Sequence, residues 1–206
     1  MSDANKYLQQ LGSELEVQLG DGFKFSRSRL ELRRKANDGA DVIILAGSTK
    51  YSPFISVAFY FGRNFDEAKR LEKLTGDHPM PYHIQQYSPN LRSMRGLSYA
   101  GPSTWEVDIT NPPEKLAQQI TVAIKAMAYP FFEKFSTLQA AQIALADGDS
   151  WCFNARGPFY HMLLKVDASL KDLEHFEQWS KCLQDFYRNQ STESLMKYKK
   201  AIEIGI

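Results

Sequence analysis

Two histidines, His78 and His83, lie on either side of a Pro-Met-Pro-Tyr segment and are the side chains that most resemble metal ligands. A zinc site needs three or four His, Cys or acidic ligands at compact spacing. Asp77 could supply a third ligand, but no second pair of ligands follows nearby. Histidines that lack such partners are usually solvated loop residues, so we expect no metal and no other cofactor.

Glu106 and Asp108 are spaced to share one face of a strand, as paired acids do in general acid–base catalysis. Nothing in the sequence indicates a burial that would separate their pKa values, so a solvated strand face is the simpler interpretation. Cys182 lies beside an apolar helical stripe, outside any nucleophile motif, and is expected to be a buried, inert thiol. The common phosphate-binding and hydrolase patterns GxxxxGK(S/T), GxGxxG, GxSxG and HExxH are absent. We predict no catalytic residue.

Residues 24–35 carry six basic side chains against a single acid, Glu31. Arg29 and Arg33 are expected to face away from the apolar side of their strand, where an arginine-lined surface could bind phosphate or an acidic partner. Charged residues also protect edge strands from aggregation, and this interpretation stays open. We do not expect nucleic acid to bind, because RNA recognition on a sheet needs exposed aromatics on the same face, and these strands place theirs opposite.

The segment from Tyr82 to Trp105 is the best candidate for a binding surface. It falls largely within residues 76–104, which are rich in Pro, Gly, Ser and Tyr and have little periodicity, apart from a short strand predicted over residues 82–87. Long irregular segments within domains are usually functional or disordered, and Tyr, Trp and Arg dominate protein-binding hot spots. Its candidate binding residues are Tyr82, His83, Tyr87, Arg92, Arg95, Tyr99 and Trp105. The alternative is that the aromatic side chains only hold the segment against the core.

The strands that must position these residues are predicted mainly from residues 23–62. Three stretches alternate apolar and polar residues, as strands do: 23–25, 29–33 and 55–61. Asn37-Asp38-Gly39 indicates a turn, and residues 42–45 are typical of a strand buried on both faces. The connections are too short for helical crossovers, which favours an antiparallel meander of four strands, with further strands over residues 82–87 and 105–109.

Helices are predicted before and after this sheet. The first shows a leucine stripe at helical spacing: Leu8, Leu11, Leu15 and Leu19. Asn111-Pro112-Pro113-Glu114 places an Asn cap before another helix, and further helices follow. The predicted fold class is α+β, an antiparallel meander sheet of four to six strands packed by helices. We divide the chain into an α+β domain, residues 1–150, and a helical C-terminal extension, residues 151–206, packed on it as one unit.

The composition argues against several kinds of partner. The net charge is +1, which gives no general reason to expect nucleic acid or an acidic membrane. No segment approaches the roughly 20 apolar residues of a membrane span. The first residues lack the apolar stretch of a secretory signal, and two cysteines do not make a disulfide framework. A cytoplasmic location is therefore expected.

Three short motifs carry a family resemblance: Gly22-Phe23-Lys24-Phe25, Trp105-Glu106-Val107 and the run from Tyr129 to Phe135. With these motifs and the order of its elements, the chain resembles the bacterial proteins grouped as domain of unknown function 4304. The resemblance covers residues 5–145. It implies a small bacterial α+β domain, and it implies no activity, cofactor or catalytic residue.

These observations together predict a non-enzymatic protein-binding module, of an immunity or accessory type, whose protein partner and oligomeric state the sequence does not specify. Two alternatives stay open. One is an enzyme or small-ligand protein with an unfamiliar site between sheet and helices, near His83. The other is nucleic-acid binding through residues 24–35.

Overall fold

The fold is taken from a computed structural model that describes residues 2–75, 84–87, 101–102, 104–146, 164–186 and 193–203. The described strands are β1 (Lys24–Ser26), β2 (Glu31–Ala36), β3 (Gly39–Tyr51), β4 (Phe54–Phe65), β5 (Ile84–Tyr87) and β6 (Thr104–Asp108). The described helices are α1 (Asp3–Leu19), α2 (Asp66–Thr75), α3 (Glu114–Lys134), α4 (Leu138–Ala146), α5 (residues 164–170), α6 (Leu173–Phe186) and α7 (Glu193–Glu203). None of these helices is both long enough and apolar enough to cross a membrane.

The strands form one antiparallel sheet in the order β1-β2-β3-β4. Two short strands share the remaining edge of β4, because β5 pairs with residues 60–63 and β6 pairs with residues 54–58. This is the antiparallel meander with additional short strands that the sequence predicts. The α+β fold class is therefore confirmed.

Helices α1 and α3 pack against one face of the sheet. On β4, every second side chain is buried on that face: Ile55, Val57, Phe59 and Phe61. The leucine stripe of α1 is buried against them, and the ring of Phe131 on α3 meets Phe61 edge-on at 5.2 Å. Burying a side chain of this size contributes about 1.5–3 kcal/mol. The alternation along β4 and the stripe on α1 thus account for the main core.

The first hairpin differs from the prediction at its turn. Residues 27–30 form the turn, with Leu30 at φ +52°, and β2 begins only at Glu31. Arg29 therefore lies in an exposed turn rather than on a strand face. The reversal between β1 and β2 uses four residues, and two of them belong to the stretch whose alternation predicts a strand.

The second turn is confirmed at Asn37 and Asp38, between β2 and β3. At Gly39, which follows it, a Cβ atom would lie 1.8 Å from the backbone oxygen of Asn64. Only glycine fits such a close approach of two backbones. Asp38 also reaches a neighbouring element, since its Oδ2 accepts from the backbone N–H of Leu138 at 3.2 Å. This turn therefore positions the start of α4.

A buried ionic network crosses the sheet from β2 to β4. Arg34, Asp41 and Arg63 face one another in register on β2, β3 and β4. Asp41 accepts from Arg34 Nη2 at 2.7 Å and from Arg63 Nη1 at 2.5 Å, and the Asp41 and Arg63 side chains are each only 3% exposed. Arg63 also donates to Asp38 Oδ1 at 2.9 Å and to the backbone oxygen of Ser136 at 2.7 Å. The network joins three strands to the segment that leads into α4.

The start of α3 also differs from the prediction. The helix begins at Glu114, with Pro113 at the N-cap position and no side-chain cap. The backbone N–H of Asn111 instead donates to the backbone oxygen of Asp108 at 3.1 Å, in a turn that follows β6. An Asn cap bonds the N–H of the second or third helical residue, and Pro113, which would be the second, has no N–H to donate. The first N–H groups of α3 therefore lack a side-chain cap.

The described C-terminal helices form a second hydrophobic cluster on α2. This cluster joins α2, α5, α6 and α7 through Leu71, Leu164, Ala168, Phe176, Tyr198, Ala201 and Ile202. Lys165 Nζ donates to Oε1 of the buried Glu72 at 2.5 Å, which adds an ion pair between α5 and α2. The C-terminal helices thus pack on the part of the chain that contains the sheet. The division into residues 1–150 and 151–206 stays a prediction.

Candidate functional site

A cleft opens where the beginning of α1, the end of β6 and the beginning of α3 meet. Its volume is about 620 Å³, within the roughly 300–1,000 Å³ of small-molecule sites. The cleft forms because β6 pairs with β4 while α1 packs on α3, which brings together residues about one hundred positions apart. Its charged and aromatic lining consists of Tyr7, Glu106, Asp108, Glu114 and Lys115. We call it the acidic cleft.

Tyr7 forms the buried wall of the acidic cleft. Its ring belongs to the apolar core side of α1, and the residue is 4% exposed. The Tyr7 hydroxyl is directed to the cleft, and no hydrogen bond joins it to another group in the described part of the chain. The pKa of Tyr7 is raised above its ordinary value of 10.0, first by burial and then by the negative charges of Glu114 and Asp108. The hydroxyl is therefore protonated at neutral pH and lies in the field of two carboxylates.

Asp108 supplies the first of these carboxylates. It is the last residue of β6, and its Oδ1 accepts from Thr110 N at 2.9 Å and from Thr110 Oγ1 at 2.7 Å. These hydrogen bonds, the backbone bond first, lower the pKa of Asp108 below its ordinary value of 3.8. The Asp108 side chain is thus ionised at neutral pH and held in one orientation.

Glu114 supplies the second carboxylate as the first residue of α3. Its backbone oxygen accepts from Gln18 Nε2 at 3.4 Å, which joins the start of α3 to α1. An acidic side chain is favourable at this position because the helix dipole is positive there. The exposed carboxylate of Glu114 has no hydrogen bond or ion pair with any residue that the structure describes, so it is available to a ligand.

The acidic cleft favours a cationic group on a hydrocarbon stem. Three acids, Glu106, Asp108 and Glu114, outnumber the single base Lys115. A tyrosine hydroxyl can accept a hydrogen bond from an ammonium or guanidinium group, and the carboxylates offset its charge. Val107, Pro112 and Leu116 add apolar surface that suits an alkyl stem, and the amides of Asn111 and Gln119 complete the lining.

The same groups are poorly suited to acid–base catalysis. A general acid or base works best when its pKa lies near the operating pH. The pKa of Tyr7 lies above 10.0 and that of Asp108 below 3.8, so neither group exchanges a proton readily at neutral pH. At neutral pH the cleft therefore presents a protonated phenol beside an ionised carboxylate.

The structure places Trp105 in the core rather than in the cleft. Its side chain is buried, and its ring stacks on Phe59 with the centroids 6.1 Å apart. This placement corresponds to the alternative in which aromatic side chains hold the segment against the core. The next residue, Glu106, is the one that lines the acidic cleft.

The other predicted binding residues of that segment are described only in part. Tyr87 ends β5 and its backbone pairs with Tyr60, so β5 lies within the strand predicted over residues 82–87. The remaining ones lie outside the described residues: Tyr82, His83, Arg92, Arg95 and Tyr99. Their assignment to a binding surface stays a prediction.

Three of the six basic side chains in residues 24–35 form ion pairs with acids of the described chain. The pairs are Lys24–Glu16 at 3.2 Å, Arg33–Glu31 at 2.8 Å and Arg34–Asp41 at 2.7 Å. Arg29 lies in the exposed turn and Arg33 lies on β2, so the two do not share a strand face as expected. Neither side chain lines the acidic cleft.

Sequence patterns did not point to Tyr7 or Glu114. Tyr7 directly precedes the leucine stripe of α1, where an aromatic residue indicates packing, and Glu114 matches an ordinary acid of a first helical turn. Asp108 is considered with Glu106 as a solvated pair. The usable signal is Thr110, because an Asp followed two residues later by a hydrogen-bond donor is typical of a turn that fixes the carboxylate.

No protein-family model, no curated protein and no solved structure matches this chain. The resemblance to domain of unknown function 4304 stays a prediction. Within the described ranges, no three His, Cys or acidic side chains are grouped so that they could hold a metal ion. The chemistry of the acidic cleft therefore rests on its own geometry.

Proposed function

We propose that the protein is a non-enzymatic protein-binding module that takes a basic side chain of its partner into the acidic cleft. The observation that carries this proposal is the position of Tyr7, which lines the acidic cleft and lies in the field of Asp108 and Glu114. A tyrosine hydroxyl beside two carboxylates can accept a hydrogen bond from a charged donor. A bound cation would satisfy this group and offset both carboxylates at once.

A lysine or arginine side chain of a partner protein fits the parts of the cleft. Its alkyl stem matches the apolar surface at Val107 and Leu116, and its charged end matches the carboxylates. The exposed position of Glu114 also attracts a basic partner during association. Because salt screens exposed charges, we expect the affinity to fall as the ionic strength rises.

A peptide series of one scaffold tests the proposal. The central residue is Lys, Arg, norleucine or Glu, and each labelled peptide is titrated with the purified protein by fluorescence anisotropy. Lys and Arg peptides should bind, whereas norleucine and Glu peptides should not. Tyr7→Phe removes only the hydroxyl and should weaken binding about tenfold, the value of a hydrogen bond to a charged group.

The charge of the cleft is tested with a matched control on the same helix. Glu114→Gln should weaken the binding of the Lys peptide by up to about fivefold, as expected for an exposed ion pair. Glu133→Gln removes the same charge from an exposed position near the other end of α3 and should leave binding unchanged. Equal losses in both variants, or no preference for basic peptides, would overturn the proposal.

The volume of the cleft favours a second candidate, a small-ligand protein that binds a free aliphatic amine. About 620 Å³ is enough for such a molecule, and its chemistry is that of a lysine side chain. A calorimetric titration with an aliphatic diamine separates the two candidates. Tighter binding of the diamine than of every basic peptide would assign the cleft to a small ligand.

The role, source and location of the protein are separate from the chemistry of the cleft. An immunity or accessory role, a bacterial source and a cytoplasmic location follow from the sequence-based interpretation and depend on the identity of the partner.

A further inference from the structure

The hairpin that joins β3 to β4 ends in two exposed aromatic side chains. Tyr51 is 69% exposed and Phe54 is 43% exposed. Their rings contact each other edge-on, with the centroids 5.8 Å apart. Neither residue belongs to the hydrophobic core clusters of the described chain. This aromatic pair therefore contributes little to burial in the isolated protein.

The aromatic pair lies directly beside the acidic cleft. Phe54 on β4 is in register with Asp108 on β6. The backbone N–H of Ile109 donates to the backbone oxygen of Pro53 at 3.1 Å, so the next pair along the ladder, Phe54 and Asp108, is not hydrogen-bonded. In such pairs the Cα atoms lie about 4.5 Å apart and the two side chains point to the same face. The aromatic pair and the edge of the acidic cleft thus form one continuous surface.

An aromatic pair next to a negative cleft has the composition of a protein-binding hot spot. Aromatic anchors supply area that leaves water on binding, while neighbouring charges select the partner. A segment that places a basic side chain against Asp108 comes close to Phe54, because the two residues are in register. Its neighbouring side chains then meet the aromatic pair.

We propose that Tyr51 and Phe54 are the apolar half of the partner-binding surface. The partner is a protein segment that carries a large apolar side chain two to four residues from its basic side chain. Side chains on one face are about 7 Å apart two residues along an extended segment, and about 5–6 Å apart three or four residues along a helix. This inference rests on the proposed function, because the basic side chain is the one that the acidic cleft takes.

A second peptide series tests the inference. Each peptide keeps the central Lys and carries Phe, Leu or Ser at one position, two to four residues away on either side. In the wild-type protein, Phe or Leu at the best position should improve affinity about tenfold over Ser. That gain should disappear in Tyr51→Ser/Phe54→Ser and persist in Val122→Ser, which removes an exposed apolar side chain from α3. If the double variant does not fold, Tyr51→Ser alone replaces it, because Tyr51 is the more exposed residue.

The possible outcomes separate this inference from the proposed function. Binding that depends on Lys but gains nothing from Phe or Leu overturns the inference and leaves the proposed function intact. The same holds for a gain that persists without the aromatic pair. Binding that does not depend on the Lys side chain overturns both the inference and the proposed function. A dimer of the protein that Tyr51→Ser dissociates would assign the aromatic pair to a second copy and overturn the inference.

Discussion

Replacing Asp41 with asparagine perturbs the ionic network that joins β2, β3 and β4. Asp41 accepts three hydrogen bonds from two guanidinium groups, two from Arg34 at 2.9 and 2.7 Å and one from Arg63 at 2.5 Å. The asparagine has nearly the same shape, but it removes the negative charge and points an NH₂ group at donors. The Arg63 side chain is only 3% exposed. The substitution therefore leaves its buried positive charge only partly offset.

The expected loss in the free energy of unfolding depends on the contacts that each arginine keeps in the variant. Breaking a buried ion pair by removing one partner typically costs about 3–5 kcal/mol. Arg63 keeps its bonds to Asp38 and to the backbone oxygen of Ser136, and Arg34 keeps part of its contact with water and its position over the rings of Phe23 and Tyr129. We therefore expect the lower end, a loss of about 3 kcal/mol in the free energy of unfolding.

Urea unfolding followed by tryptophan fluorescence measures this loss. The matched control is Asp3→Asn, which removes a carboxylate from the exposed Lys6–Asp3 pair and should cost less than about 1 kcal/mol. A loss of less than about 1 kcal/mol in Asp41→Asn would refute the reasoning, because it would mean that the network contributes no more than an exposed pair.

Three further predictions concern other parts of the fold and the cleft. Gly39→Ala should destabilise the protein by about 1–3 kcal/mol, since its Cβ would lie 1.8 Å from a backbone oxygen, and an unchanged urea midpoint would contradict this. Burial raises the pKa of Asp167 to about 6, so between about pH 4 and 6 the folded state binds a proton that the unfolded state does not. The protonated Asp167 therefore contributes stability at low pH, and this contribution is lost as the pH rises through 6. In Asp167→Asn the free energy of unfolding should lack this decrease with pH. Parallel pH profiles of the wild type and the variant would contradict the prediction. Glu114→Gln should lower the pKa of Tyr7, because one of two nearby negative charges is gone, and an NMR titration of labelled tyrosine in which that pKa stays unchanged would argue otherwise.

The sheet was predictable because its signals are local. The alternation along residues 55–61 and the turn at Asn37 and Asp38 each depend on side chains a few positions apart. The structure keeps the alternation, because a strand with one buried face needs an apolar side chain at every second position. The turn before Glu31 was not predictable in the same way, because alternation continues through residues that reverse the chain.

The ionic network and the acidic cleft were not predictable because they depend on distant pairings. Arg34 belongs to a run of basic residues that resembles a charged surface, and only its register with Asp41 shows that it is bound to an acid. Tyr7 and Glu114 come together through the packing of α1 on α3. No spacing along the chain indicates that contact. One local signal was present, the Asp108–Thr110 turn. It indicates that the Asp108 carboxylate is fixed, but it does not indicate which residues lie opposite that carboxylate.

The most direct test of the acidic cleft observes the Tyr7 hydroxyl while a basic peptide binds. Protein with isotopically labelled tyrosine is titrated with the Lys peptide, and the Tyr7 ring resonance is assigned from its loss in Tyr7→Phe. We predict that this resonance shifts in proportion to binding and that the pKa of Tyr7 falls in the complex, because the bound cation offsets the charges of Asp108 and Glu114. A peptide that saturates the protein while the Tyr7 resonance and its pKa stay unchanged would contradict the assignment of the cleft.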